Sequence, residues 1–74
     1  MSKIQNPIAK LWTEATLDGV LTQLEELPKM EVLRDNDAGT VICTGPDGRE
    51  FLRGIETLGG WMMMIDSNLI QEKH

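Results

Sequence analysis

The side chains able to do nucleophilic or metal chemistry are few and lie far apart in the sequence. The chain holds one cysteine, Cys43, and one histidine, His74, and it has no tyrosine. A serine, threonine or cysteine nucleophile usually needs a neighbouring base, most often histidine. A structural zinc site needs four ligands drawn mainly from cysteine and histidine. The sequence therefore predicts no catalytic residue, no metal site and no cofactor.

One segment, 35–39 (Asp-Asn-Asp-Ala-Gly), gathers carboxylates in the manner of a calcium-binding loop. An EF-hand loop requires an oxygen ligand at position 5, glycine at position 6 and glutamate at position 12. Counted from Asp35, these positions hold Gly39, Thr40 and Pro46. The segment therefore predicts an ordinary turn and no calcium site.

The charge balance restricts the class of partner. Seven Lys and Arg face twelve Asp and Glu, which gives a formal net charge of −5. This sign opposes binding to a phosphate backbone, and no basic cluster is present to overcome it. The two tryptophans and one phenylalanine are not interleaved with basic residues, as a platform for stacking nucleic-acid bases would need. We expect no direct contact with nucleic acid, whereas a basic protein is an acceptable partner.

Acidic residues concentrate in the first predicted helix. No Lys or Arg lies between Trp12 and Leu27, and Glu14, Asp18 and Glu25 are spaced four and seven apart. That spacing places the three carboxylates on one side of a helix. They define an alternative function, in which the chain is an acidic inhibitor or mimic that binds a basic (nucleic-acid-binding) protein through this row of carboxylates. The simpler interpretation is a solvated face with acids favouring the helix dipole.

The C-terminal part of the chain carries a surplus of apolar residues. If residues 57–71 form a helix, one apolar stripe faces the core and further apolar side chains remain on other sides. Methionine packs adaptably on binding surfaces, and tryptophan often anchors interfaces. The predicted partner interface consists of Trp61, Met63, Met64 and Ile70. A strand over 61–65, buried on both faces, would instead place the methionines in the core.

Local signals predict five elements. Thr13 or Thr16 caps a helix over 13–27, and Pro28 ends it. Residues 7–12 are expected to form a helical turn or an irregular arm. Strands are predicted over 29–34, 40–44 and 49–53, with turns at 35–39 and 45–48 between them.

The last predicted element is the ambiguous one. Apolar residues spaced by three and four between Ile55 and Leu69 favour a helix over 57–71. Gly59 and Gly60 oppose it, because together they cost a helix interior about 2 kcal/mol. Alternatively, they mark a turn before a helix that starts at Trp61. With that helix the fold is α+β, in the order α-β-β-β-α: an N-terminal helix, a three-stranded antiparallel meander and a C-terminal helix.

The 74 residues are enough for one small domain, with residues 1–6 expected as a flexible arm and 72–74 as a frayed tail. No apolar stretch has the length of a signal peptide core or a membrane span, and a single cysteine suits a reducing compartment, so we expect a cytoplasmic protein. The expected function is that of a non-enzymatic protein–protein interaction module. We expect a homodimer or a small subunit of a complex that uses the apolar segment 58–70.

Overall fold

The computed structural model describes residue 4 and residues 7–67 of the chain. These residues contain five strands and one helix. The strands form one antiparallel sheet in the order β1-β5-β4-β3-β2. Strands β2 to β5 are a meander, and the last strand then pairs with the first. The elements are β1 (Pro7–Trp12), α1 (Glu14–Glu25), β2 (Glu31–Asp35), β3 (Thr40–Thr44), β4 (Glu50–Thr57) and β5 (Gly60–Asp66).

The predicted α+β order α-β-β-β-α is wrong, because the described chain is a β-rich domain with one helix. Residues 7–12, expected as a helical turn or an arm, form β1. Over its described part, residues 57–67, the predicted C-terminal helix over 57–71 is replaced by the end of β4 and by β5. The arm (apart from residue 4) and the tail 72–74 lie outside the described residues.

Strand β5 forms because its side chains alternate between two environments. Trp61, Met63 and Ile65 are buried, whereas Met62 and Met64 are exposed. This period of two is that of a strand, and the spacings of three and four that favoured a helix are coincidental. The apolar run over 61–65 is therefore a strand, but one that is buried on a single face.

The two glycines that opposed the helix belong to the turn between β4 and β5. Thr57 and Gly60 are paired across the hairpin, and the Thr57 hydroxyl donates a 2.8 Å hydrogen bond to the carbonyl oxygen of Gly60. Gly60 has a φ of 136°, and a Cβ there would lie 2.5 Å from the carbonyl oxygen of Trp12. A side chain is therefore excluded where β5 begins beside the end of β1.

Helix α1 follows its sequence signals closely. Thr13 is the N-cap, and its side chain accepts a 3.1 Å hydrogen bond from the backbone N–H of Thr16. The helix covers Glu14–Glu25, within the predicted range 13–27, and ends before Pro28. Its inward side chains, Leu17 and Leu21, are buried against the sheet.

The core lies between α1 and one face of the sheet, here called the inner face. Seven of the eight buried core residues are Leu17, Leu21, Val41, Leu52, Trp61, Met63 and Ile65, and Cys43 is the eighth. Partly buried residues complete its border, namely Trp12, Val20, Leu24, Val32 and Phe51. Phe51 is the extra residue where the register shifts beside Cys43 and Thr44, a β-bulge. The opposite, outer face of the sheet has no described element packed on it.

Candidate functional site

The outer face is defined by the pairing of residues across neighbouring strands. Paired residues of an antiparallel sheet project to the same face. Starting from exposed Met62 on β5, the pairs lead to Leu11 on β1 and, on the other side, to Ile55 on β4 and Thr40 on β3. The line ends at Asp35 on β2, so it crosses all five strands and is apolar on β1, β5 and β4.

A second line of outward residues runs parallel to the first. It starts with Ala9 on β1 and continues through Met64 and Arg53 to Ile42 and finally Leu33 on β2. Arg53 is the one charged member, and its Nε lies 3.0 Å from an oxygen of Glu50, on the same strand. The line is therefore apolar apart from one cation that already has an anion beside it.

Together the two lines place six large apolar side chains on one surface. We call this surface the outer apolar patch. Its members are Leu11, Leu33, Ile42, Ile55, Met62 and Met64. Five of them are exposed, from 57% for Leu11 to 36% for Met64, and Ile42 is half-buried. A contiguous apolar surface of this kind marks an interaction site more often than a chance exposure.

The edges of the sheet, in contrast, carry residues that discourage pairing with another strand. Edge strand β1 contains Pro7, which lacks a backbone N–H, and Lys10. The other edge strand, β2, contains three charged residues in five, Glu31, Arg34 and Asp35. Proline and charged side chains are the usual means of protecting an edge strand. The apolar surface is therefore on the face and not along the edges.

A polar cluster on the opposite, inner face joins the helix to the sheet. Arg34 donates hydrogen bonds to Asp18 at 2.8 Å and to Glu14 at 2.6 Å, and its guanidinium lies 5.2 Å from the centre of the Trp61 ring. Trp61 Nε1 donates a 2.9 Å hydrogen bond to the other oxygen of Glu14. We call these four residues the Arg34 clasp. They connect α1 to both β2 and β5.

The clasp shifts the protonation equilibria of Glu14 and Arg34. The hydrogen bond from Trp61, followed by that from Arg34, lowers the pKa of Glu14 below its usual 4.5. Hydrogen bonds to Asp18 and Glu14 raise the pKa of Arg34 above its usual value. The cluster is therefore charged at neutral pH, and its shifts follow from internal ion pairing, which does not require catalysis.

The predicted partner-interface residues are divided among three environments. Trp61 and Met63 are 2% and 0% exposed, so within the folded chain they belong to the core. Met64 is on the outer apolar patch. Ile70 lies outside the described residues. The other five patch residues were not predicted, since only a strand register brings them together.

The three residues of the predicted acidic row do not form one open surface. Glu14 and Asp18 are both bound by Arg34. Glu25 is the last residue of α1, where its charge is near Cys43. Burial, with a smaller contribution from Glu25, raises the pKa of the Cys43 thiol to about 11. The thiol is therefore buried and protonated, which makes it a poor nucleophile.

Two shallow concavities meet at the turn between β2 and β3. The first, of about 670 Å³, includes the patch residues Leu33 and Ile42 together with Asp35 and Asp37. The second, of about 470 Å³, shares Asp37 and includes Glu56 and Leu58 among its lining residues. Both concavities therefore combine carboxylates with apolar side chains.

Over residues 4 and 7–67, no group of three or more His, Cys, Asp or Glu side chains is placed to hold a metal ion. Within the same described range, no helix is long and apolar enough to cross a membrane. No protein family, curated protein or solved structure matches the chain.

Proposed function

We propose that the protein is a non-enzymatic interaction module that docks onto a protein partner through the outer apolar patch. The observation that carries this proposal is the contrast between the two faces of the sheet. Helix α1 covers the inner face, whereas five large apolar side chains remain exposed on the outer face. Covering the outer face removes that apolar surface from water, which is the main driving force of protein association.

The pattern of protection around the sheet supports this proposal. Both edge strands carry charged residues, and β1 also carries Pro7, so pairing with a further strand is disfavoured. No described element covers the outer face. The partner therefore packs on the face by side-chain contact. The proposal includes two assemblies, a homodimer and a small subunit of a larger complex, and a cytoplasmic location.

The alternative function, an acidic inhibitor acting through Glu14, Asp18 and Glu25, has less support. Arg34 occupies the first two carboxylates with hydrogen bonds of 2.6 and 2.8 Å. A basic partner would have to displace this internal cation before it could use them. We therefore place the interaction surface on the opposite side of the sheet.

Site-specific photo-crosslinking in cells that produce the chain tests the proposed surface. A photoreactive amino acid replaces Ile55 or Met62 on the patch, with Thr22 or Gln23 on the exposed side of α1 as matched controls. We expect a discrete crosslinked species from positions 55 and 62 and none from 22 and 23. Crosslinking from the helix positions alone would contradict the proposal.

A further inference from the structure

We infer that the partner of the outer apolar patch is a different protein with a basic, partly apolar surface, and not a second copy of this chain. This inference rests on the proposed function and adds the chemical class of the partner. It follows from the charges that surround the patch.

The charged residues on the outer face are mainly acidic. Glu31 pairs with Thr44, Asp35 with Thr40, and Asp66 with Pro7, all at positions whose side chains share the outer face. The cation within the patch, Arg53, is matched by Glu50 at 3.0 Å. The surface that a partner meets is therefore apolar in its centre and negative at its border.

The β2–β3 end of this face is suited to a lysine or arginine side chain. Leu33 and Ile42 provide an apolar surface for the methylene groups, and Asp35 and Asp37 provide carboxylates for the charged end. Arg34 also lines this concavity, but its guanidinium is paired with Glu14 and Asp18. Asp35 is held in place because one of its oxygens accepts backbone hydrogen bonds of 3.0 Å from Asp37 and 3.1 Å from Ala38. A preorganised carboxylate beside an apolar surface favours a basic partner.

The same charges disfavour self-association through this face. A two-fold dimer brings the same surface of both copies together. Each copy would bring its acidic border, and a formal net charge of −5, to the interface. A basic partner instead meets opposite charge, which raises its association rate and its affinity.

A pair of synthetic peptides provides the direct test. The first is an amphipathic 14-residue helix of leucine and lysine, and the second has glutamate in place of every lysine. Binding of each labelled peptide to the full chain is measured by fluorescence anisotropy. We expect the lysine peptide to bind more tightly, and to lose affinity between 50 and 300 mM salt because the charges are screened. Equal binding of both peptides would overturn the basic-partner inference.

Two charge variants test whether the lysine peptide binds at a specific site or is attracted only by the net negative charge of the chain. The test variant neutralises three acids of the outer face and its β2–β3 turn by Glu31→Gln, Asp35→Asn and Asp37→Asn. We expect it to weaken the lysine peptide about fivefold, as the loss of three exposed charge pairs predicts.

The control variant removes the same number of charges elsewhere, by Glu25→Gln, Glu26→Gln and Asp47→Asn. We expect its affinity to change less than twofold. Equal weakening by the two variants would show that only net charge matters, and would overturn the inference.

A third variant, in which threonine replaces apolar residues of the patch, distinguishes failure of this inference from failure of the proposed function. Leu33→Thr, Ile55→Thr and Met62→Thr remove apolar surface without changing charge, and threonine is favoured in strands. Unchanged binding of the lysine peptide to this variant would contradict docking on the patch itself. Light scattering tests whether the parent chain dimerises through the patch. If it forms a dimer and this variant dissociates that dimer, the partner is a second copy of the chain and the inference is overturned.

Discussion

At the scale of single residues, Gly54 explains how the fully buried side chain of Met63 packs against the inner face of the sheet. Gly54 on β4 pairs with Met63 on β5, and the Met63 side chain lies against it. A Cβ at position 54 would lie 2.7 Å from the Met63 Cε and 3.3 Å from Val41 Cγ1. Glycine at 54 and a long flexible side chain at 63 are therefore complementary parts of one packing arrangement.

The Gly54→Ala variant is expected to lower the free energy of unfolding by about 1–3 kcal/mol, because the added methyl group overpacks the core. Urea titration followed by tryptophan fluorescence measures the change. Gly19→Ala is the control, since no atom lies within 4 Å of a Cβ there and the site is helical. It is expected to raise stability by roughly 0.5–1 kcal/mol. Destabilisation by the helix variant but not by Gly54→Ala would contradict this account.

Cys43 provides a second prediction at this scale. Its side chain is fully buried and the pKa of its thiol is raised to about 11. A disulfide reagent at pH 8 is therefore expected to react slowly with the folded chain and at the rate of a free thiol once urea unfolds it. The time course of thionitrobenzoate release measures both rates. Rapid reaction in native buffer would show that the strand pair around β3 opens readily.

At the scale of elements, the parts set by local chemistry were predictable. The cap at Thr13, the turn closed by Gly48 and the hairpin over 40–53 all depend on residues close in sequence. Residues 7–12 were missed because their strand exists only through pairing with β5, which is distant in the sequence. The Asn6-Pro7 pair resembled a helix start, and no local signal opposed that interpretation.

The candidate surface was predictable only in part, and for the same reason. Met64 was included, but Leu11, Leu33, Ile42 and Ile55 come from four different strands. Nothing in the sequence alone fixes which strands are neighbours. The signal that was available was Gly59-Gly60, which indicates a two-residue hairpin when an alternating apolar segment follows it. With β5 recognised as a strand, Trp61 and Met63 would have been assigned to the core.

The alternation of β5 is tested by neighbouring methionines. Met63→Ala is expected to cost about 2–5 kcal/mol of unfolding free energy, because it leaves a cavity in the core. Met62→Ala is expected to cost less than about 1 kcal/mol, because that side chain is already 39% exposed. Denaturant unfolding of the two variants measures the difference. Similar losses from both would be inconsistent with a strand buried on one face.

At the scale of the whole molecule, the Arg34 clasp makes the free energy of unfolding depend on pH in the acidic range. The folded state holds the pKa of Glu14 below 4.5, chiefly through the hydrogen bond from Trp61. A carboxylate with a lowered folded pKa adds stability that is fully present above its unfolded pKa. That stability is lost as the pH falls from about 4.5 through the lower folded value.

The Glu14→Gln variant isolates this effect. At pH 7 we expect it to be less stable than the parent chain. The difference shrinks as the pH falls from about 4.5 through the lowered folded pKa of Glu14, because the parent carboxylate then takes up a proton and both chains become neutral at position 14. Urea unfolding at pH 7, 5 and 3.5 measures it. Glu26→Gln, just beyond the end of α1 and outside the clasp, is the control. A difference that stays constant over this range would show that the carboxylate charge contributes no stability.

The pairing of β1 with β5 also governs how the chain reaches its native state. These two strands are the first and last elements of the described chain, yet they are neighbours in the sheet. Their contacts raise the contact order, and loops that close over long sequence distances slow folding. On the ribosome, β1 has no partner until β5 has emerged. We therefore expect the meander over β2–β5 to form first from local hairpins and β1 to add last.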